Sequence, residues 1–481
     1  MKPDFPAQER RKSFPRFWRA ACLGAVVPLV LIFAGCTVGP NYRRPEINAP
    51  AAFRGQTGIS SNSFADLPWW QVFHDEALQR LIRTAFTNNY DLRIAFTRVE
   101  QARAIAAEAR AGFFPQLNYA GLAGTGKNVG ANSTPSPTGT GGSVFAADVN
   151  ASWEIDLWGR IRRLNESARA EFFASQEARR DVTIAIIAQV AQDYFQLLAL
   201  ERDLEIARDT TNSFGQSLNI FTERLQGGVA SILETSSAEA LMDSAAATIP
   251  ELERLVTLQE NQISVLLGEN PGPVLRAGFP LDEQMPPDVP VGLPSALLER
   301  RPDIREAEQQ LRSANAQVGV AKAGFFPQLN LTGLFGRVSP ELSAFTAGGA
   351  TAWGAAASLT GPIFQGGRIK AEYQRTQAVR EQFALQYHAA VLNAFQEISD
   401  ALISREKLAA ARALRTRAVA AYQEAVKTAM KRYQLGSASY YEVLQEQQQL
   451  FPAEVALEQT QLNQILNIVQ LYRALGGGWQ P

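Results

Sequence analysis

The sequence predicts a mixed α+β membrane protein in which two copies of one unit alternate short transmembrane strands with very long helices. Three observations predict it. They are an internal duplication, two stretches too poor in breakers for a globular helix, and short segments that alternate apolar and polar side chains. The octapeptide Ala111-Gly112-Phe113-Phe114-Pro115-Gln116-Leu117-Asn118 recurs unchanged as Ala323 to Asn330, an offset of 212 that also pairs Asp91-Leu92-Arg93 with Asp303-Ile304-Arg305. Beyond the strands the offset is 208, from Gly159-Arg160-Ile161 and Gly367-Arg368-Ile369 to Leu267-Gly268 and Leu475-Gly476. A constant offset over this distance means one unit present twice, the copies differing by four residues between the anchors at 118 and 159.

Composition narrows the function classes. The chain has 481 residues, 46% hydrophobic and 19% charged, but only two Cys and two His. Disulfide frameworks, Cys/His zinc sites and Cys/His or Ser/His/Asp catalysis have too few candidates, so neither a metal site nor an enzyme is expected. Net charge is −1; residues 1–35 carry six basic and two acidic residues (+4), which leaves −5 for the rest and no basic surplus for nucleic acid.

Residues 1–35 read as a lipoprotein signal peptide. Lys2, Arg10, Arg11, Lys12, Arg16 and Arg19 precede an apolar run from Ala20 to Phe33, too short to span a bilayer, and Ala34-Gly35-Cys36 follows. Small residues before a cysteine resemble a bacterial lipoprotein cleavage box, with Cys36 the lipidated residue and Phe33 a departure from the usual aliphatic residue. The alternative is an ordinary signal with an incidental cysteine. The expected divisions are 36–74, an N-terminal periplasmic segment; 75–268, the first repeat with a β-hairpin at 112–158; 269–295, a linker with seven prolines; 296–476, the second repeat with a hairpin at 324–366; and 477–481, the C-terminal end.

Each repeat opens with a helical stretch (75–110, 296–322) that stops at Phe-Phe-Pro. The alternation is clearest in the second strand segment. Phe145, Ala147, Val149, Ala151, Trp153, Ile155 and Leu157 are apolar, whereas Asp148, Asn150, Ser152, Glu154 and Asp156 are polar. Period two over about 12 residues with aromatics near both ends is the pattern of a barrel strand with lipid outside and water inside. Asp148, Glu154 and Asp156 are thereby lumen candidates. Gln116 to Tyr119, Gln328 to Thr332 and Trp353 to Thr360 repeat the pattern more weakly, and 126–142 and 338–349 read as exposed loops. A soluble sandwich explains the alternation but not its place between long helices after a lipoprotein signal.

From Ile369 to Leu435 there are 67 residues without Gly or Pro, and from Ile161 to Leu225 the only breaker is Gly215. Each stretch as a helix would reach about 100 Å. Val190, Leu197, Leu204, Thr211, Leu218 and Leu225 recur every seven residues, a coiled-coil seam. The chain turns at Gln226-Gly227-Gly228 and at Gln434-Leu435-Gly436. It returns through shorter helices that Pro250 and Pro452 should kink. Four strands cannot close in lipid, where an open edge strands backbone groups at several kcal/mol each. Two, three or four chains give 8, 12 or 16 strands; eight are filled by their own side chains, so a water-filled duct needs at least three chains.

The residues resemble the TolC-like outer-membrane factors, in the lipoprotein branch that serves efflux systems. The resemblance spans nearly the whole mature chain and rests on Cys36-Thr37-Val38-Gly39-Pro40-Asn41-Tyr42, Pro68-Trp69-Trp70, Ile155-Asp156-Leu157-Trp158-Gly159-Arg160, Leu293-Pro294-Ser295, Arg300-Arg301-Pro302-Asp303-Ile304 and Pro362-Ile363-Phe364-Gln365-Gly366-Gly367-Arg368. It implies a homotrimer whose 12-stranded transmembrane β-barrel continues as a long periplasmic α-helical coiled-coil barrel. The implied partners are a periplasmic adaptor protein and an inner-membrane pump, typically of the proton-driven resistance-nodulation-division class, with segments 37–70 and 269–295 as a belt. No cofactor is implied apart from the covalent lipid on Cys36, and outer-membrane lipid is the surrounding medium. The turns match the family's adaptor-docking tip: Arg224, Gln226, Gly227, Gly228, Ala230 and Ser231, and Arg432, Gln434, Gly436, Ala438 and Ser439. Glu234 and Glu442, equivalent under the 208 offset, are candidates for an acidic aperture or simply helix-start carboxylates favoured by the dipole. Some relatives carry Asp or Arg where this chain has Ala438, so a charged gate does not transfer. The expected function is a passive small-molecule exit duct; a protein-secretion duct and a non-conducting coiled-coil lipoprotein are the alternatives.

Overall fold

The computed structural model describes residues 37–56, 63, 66–127, 141–276, 290–292, 294–347 and 351–477. The signal segment, Cys36 and residues 277–289 and 293 of the linker lie outside the described residues. In order, the elements are α1 Trp69–Val72, α2 Glu76–Asn88, α3 Tyr90–Ala111, β1 Gln116–Lys127, β2 Gly141–Ile155, α4 Arg160–Gln226, α5 Ile232–Ala246, α6 Thr248–Leu266, α7 Leu297–Arg300, α8 Pro302–Ala323, β3 Gln328–Ser339, α9 Leu342–Ala347, β4 Thr351–Thr360, α10 Arg368–Gln434 and α11 Tyr440–Ala474. The duplication is visible in the lengths: α4 and α10 have 67 residues each, and α3 and α8 have 22 each.

The chain forms two compact units. Among the described residues, 37–43, 104–127, 141–170, 312–347 and 351–381 make the first, and 44–56, 63, 66–103, 171–276, 290–292, 294–311 and 382–477 the second. The first holds a four-stranded antiparallel sheet in the order β1-β2-β3-β4. Gln116 pairs with Ser152 in the first hairpin and Gln328 with Thr360 in the second. Moving the first pair by 212 on one strand and 208 on the other yields the second, so the repeats keep one register. Gly336 faces Asp148 across β2 and β3, and a Cβ there would lie 2.3 Å from the Ala147 carbonyl oxygen, so only glycine fits. At the start of the described chain, Gly39 has φ +100°, and a Cβ on it would lie 2.4 Å from Gly319 Cα in α8. Asn41 and the Val38 carbonyl accept hydrogen bonds from the buried guanidinium of Arg163, seating this segment against α4.

The second unit is organised around a large apolar core. Trp69, Phe73, Leu78, Ile82, Tyr194, Phe195, Leu197, Ile263, Ile398, Leu462, Val469 and Tyr472 all contribute. Buried hydroxyls there are satisfied: Tyr194 donates to Asp75 (2.7 Å), whose other carboxylate oxygen caps α2 at Ala77 and Leu78, and Tyr472 donates to the Leu67 carbonyl. The segments expected to form a belt meet in one antiparallel bridge between Ser63 and Val291.

Several sequence expectations need correction. The helix expected over 75–110 is two helices separated at Asn89. Its amide donates to the Leu266 carbonyl and its carbonyl oxygen accepts from Leu92 N–H, so the side chain caps α3 and cross-links to α6. Before Pro250 the returning helix is interrupted at one residue, α5 ending at Ala246 and α6 beginning at Thr248 while Ala247 keeps helical φ and ψ; α11 runs unbroken through Pro452. The buried seam of α4 does not follow one heptad position. Val190 and Leu197 are fully buried, but further on burial passes to Ala207, Phe214 and Phe221, while Leu204, Thr211, Leu218 and Leu225 are half-exposed. The expected loop at 338–349 contains α9, and strands reach into both ends of that at 126–142, β1 to Lys127 and β2 from Gly141; the residues between them lie outside the described ones.

Candidate functional site

The sheet's two faces differ in chemistry. Register places Leu117 and Tyr119, then Phe145, Val149, Trp153 and Ile155, then Leu329, Leu331 and Phe335, then Trp353 and Leu359 on one face. The other carries Gln116, Asn118, Asp148, Asn150, Glu154, Asn330, Thr332 and Ser358. Within one chain the apolar face is bare: Tyr119 is 91% exposed and Trp353 78%. Monomeric soluble proteins rarely expose a contiguous apolar surface of this kind, and among the described residues β1 and β4 leave unpaired edges.

The three lumen candidates separate. Asp148 stays on the polar face, where the Asn150 amide approaches it at 3.4 Å. Glu154 shares that face, but its carboxylate is held by Arg160 at 2.5 and 2.8 Å, so it brings little net charge. Asp156 lies beyond β2, which ends at Ile155. Its oxygens accept from the backbone N–H of Ile161 and Arg162 and from the Arg162 side chain. The physical reason is the unpaired amides and positive dipole end of a long helix. Asp156 is therefore a helix-capping residue rather than one of the alternating strand residues.

The two inter-helix turns share a backbone. Gly228 and Gly436 both have φ +73°; Gly228 N–H bonds the Leu225 carbonyl and Val229 N–H that of Arg224, just as Gly436 bonds Tyr433 and Ser437 bonds Arg432. This is a left-handed helix stop, and glycine adopts its positive φ without the backbone strain an L side chain would bring. Each returning helix then starts with a capping box, Ser231 with Glu234 and Ser439 with Glu442. The two aperture candidates are thus helix-start carboxylates, each accepting from the backbone N–H of its serine. Glu442 is in addition bound by Arg432 at 3.0 Å. Gln226 and Gln434 are exposed beside the turns, and Ala230 and Ala438 lie half-buried within them.

Side chains distinguish the turns. Arg224 lies 4.4 Å above the Tyr433 ring and donates to its carbonyl. Phe221 packs edge-on against Tyr433 (5.2 Å) and Tyr440 (4.2 Å), closing a small core with Ala238, Ala429 and Val443, and Gln447 donates to Ser217 just above it. Burial pushes the Tyr440 hydroxyl up to about 12, with the nearby Glu234 carboxylate adding to the shift. Outside this core Val229, Ile232, Leu233, Leu435 and Tyr441 are exposed. Sequence reasoning missed both the aromatic plug and the apolar rim. The signal was available at the 208 offset, which sets Ile232 opposite Tyr440 and Ala429 opposite Phe221.

The family model described as outer membrane efflux protein matches residues 81–269 and 293–477, one match for each repeat. The chain is 36% identical to the toluene efflux pump outer membrane protein TtgC of Pseudomonas putida, over 93% of this chain and 94% of that one. It is 33% identical to the probable outer membrane lipoprotein SilC of Salmonella typhimurium, over 94% and 98%. Among solved structures, the outer-membrane channel OprN superposes with a TM-score of 0.86 at 30% identity, covering 93% of this chain and all of that one. Two matched repeats, near-complete coverage and a sheet whose outer face is apolar agree: the chain belongs to the outer membrane efflux protein family and is an outer-membrane efflux channel.

Proposed function

We propose that three copies of the chain share one barrel wall and form the exit duct of a tripartite efflux pump, passively conducting small molecules that an inner-membrane transporter delivers through a periplasmic adaptor. The observation that carries this reading is the four-stranded sheet with one bare apolar face and two unpaired edges. Hydrocarbon requires every strand edge to be paired, and twelve strands leave a water-filled bore. Motion of cargo is driven by the pump, which is expected to be of the resistance-nodulation-division class. The duct imposes little selection of its own, so cargo follows the pump; the toluene named for one relative favours small organic molecules over proteins.

The adaptor docks on the turns at Arg224 to Ser231 and Arg432 to Ser439, where the exposed apolar rim offers a surface to bury. Cys36 carries the lipid anchor, in keeping with the lipoprotein name of a relative. Deleting the gene while leaving the pump intact should raise intracellular accumulation of the pump's substrate, and the intact gene should restore export. Unchanged accumulation would contradict the reading. Fatty-acid analogue labelling should be lost in Cys36→Ser.

A further inference from the structure

The chain contains its own template for the contact between copies. Within one chain the first repeat meets the second along β2 and β3, in a register from Phe145 opposite Ser339 to Ile155 opposite Leu329. Below that seam a joint closes it. The Trp158 ring stacks on Phe326 at 4.7 Å and its indole N–H donates to the Pro327 carbonyl at 2.7 Å. The equivalent edges at the other side of the sheet, β4 and β1, have no partner among the described residues. Around them the side chains that would form the same joint are bare: Leu117 is 72% exposed, Ile363 103% and Phe364 88%, and Phe114 is exposed too.

We infer that β4 of one copy pairs with β1 of the next in the register that β2 keeps with β3, and that Phe364 of one copy closes over Phe114 of its neighbour as Trp158 closes over Phe326. That copies meet edge to edge rests on the shared-wall reading above; the register and the joint go beyond it. The register follows from two offsets. Position 155 moves by 208 to 363 and position 329 moves back by 212 to 117, so paired numbers across the seam sum to 480. The same two offsets reproduce the observed β3–β4 register from that of β1–β2, which validates the mapping inside the chain. It passes a second check, because an even sum keeps the apolar face continuous: Leu359 meets Gly121, Ala357 meets Ala123 and Ala355 meets Thr125, all on the face that holds Tyr119 and Trp353. A one-residue slip would turn one copy's apolar face into the bore.

The joint differs from its template in one way. The residue equivalent to Trp158 is Gly366, whose φ of +55° suits a turn and which brings no ring. Two positions earlier Phe364 stands where the first repeat has the capping Asp156. The ring that covers the Phe-Phe-Pro shelf has thus moved along the chain. The occupant of this surface is a second copy, because a copy's own β1 end carries the shelf that Phe364 needs.

Disulfide trapping in native outer membranes tests the register. The mature chain has no cysteine besides Cys36, so background is low. Directly opposed residues have Cβ atoms about 4.5–5.5 Å apart and diagonal ones about 7–8 Å, and a disulfide needs about 4 Å. Ala357→Cys with Ala123→Cys should therefore give cross-linked dimers and closed trimers at least about fivefold above Ala357→Cys with Gly121→Cys or with Thr125→Cys. A slipped pair that cross-links better, or no cross-link in material that native mass shows to be trimeric, overturns the register and leaves the shared wall standing. A monomeric native mass overturns both. Phe364→Ala, which lies beyond the end of β4 at Thr360, should lower the temperature at which the trimer falls apart in detergent, and Phe364→Trp should restore it; an unchanged temperature in Phe364→Ala overturns the joint.

Discussion

The two turns that end the long helices have one backbone and two surfaces. Both stop at a left-handed glycine and restart at a serine–glutamate capping box. Yet at equivalent positions Ile232 is 74% exposed and Tyr440 only 7%, and Glu442 is held by Arg432, whereas the equivalent Arg224 lies over the Tyr433 ring. The second turn is tied inward, its two tyrosines gripped by Phe221 and by Arg224 from the first. The first presents Val229, Ile232 and Leu233 to whatever lies beyond. Duplication kept the residues that dictate chain direction, where substitution strains φ or unpairs helix-start amides. It released those whose job is contact. For the docking proposed above, the first turn offers the larger exposed apolar surface, and the second supplies cohesion.

The largest expected effect tests the docking half. Ile232→Asp with Leu233→Asp should cut adaptor binding about 30-fold or more, as loss of a buried apolar anchor does, and should lower efflux with no change in trimer content. Leu435→Asp with Tyr441→Asp should weaken it less. Equal losses, read by surface plasmon resonance against the purified adaptor, would erase the distinction. Next in size is the plug. Phe221→Ala should destabilise both turns by about 3 kcal/mol, seen as faster hydrogen exchange at Gly228 and Gly436 while the core around Tyr194 keeps its protection.

A smaller effect separates the carboxylates. Glu442 is neutralised by Arg432, so Glu234→Gln should reduce cation preference in planar bilayers more than Glu442→Gln does. No change from either would exclude both from any aperture. In the barrel the same logic ranks Asp148→Asn above Glu154→Gln, since Arg160 already holds Glu154. The smallest effect appears only in alkali. The Tyr440 hydroxyl is pushed up to about 12, and its unfolded counterpart ionises near 10. The stabilisation is present below pH 10 and lost as pH rises from 10 to 12, because only the unfolded form ionises readily there. Tyr440→Phe should behave like the parent at pH 8 and remove that part of the alkaline loosening of the turns. An unaltered exchange profile between pH 10 and 12 would place the sensitivity elsewhere.

Period and repetition were easily legible in the sequence. The alternation at 145–155, the breaker-free run after Arg368 and the two offsets fix strands, helices and register, because each depends on local spacing. Whatever depends on a distant partner was not legible. Asp156 continues the strand's polar alternation, and only the helix that begins at Arg160 shows that its oxygens are taken by amides. Asn89 sits in an unbroken helical pattern, and its bond to the Leu266 carbonyl joins residues 177 positions apart. The seam of α4 changes phase from Val190 and Leu197 to Phe214 and Phe221, each set spaced by seven, because Val190 and Leu197 face the large core whereas Phe221 faces Tyr433 and Tyr440. Among the site residues, the turns were located from their glycines, but which of them keeps the larger exposed apolar surface depends on the aromatic packing.

The shared pore wall is tested most directly by measuring mass and conductance on one preparation, the intact lipidated protein extracted in mild detergent and then reconstituted in a planar bilayer. The account predicts a particle of three chains that passes steady ionic current without a pump or an energy source. A stable single chain that carries no current would contradict it.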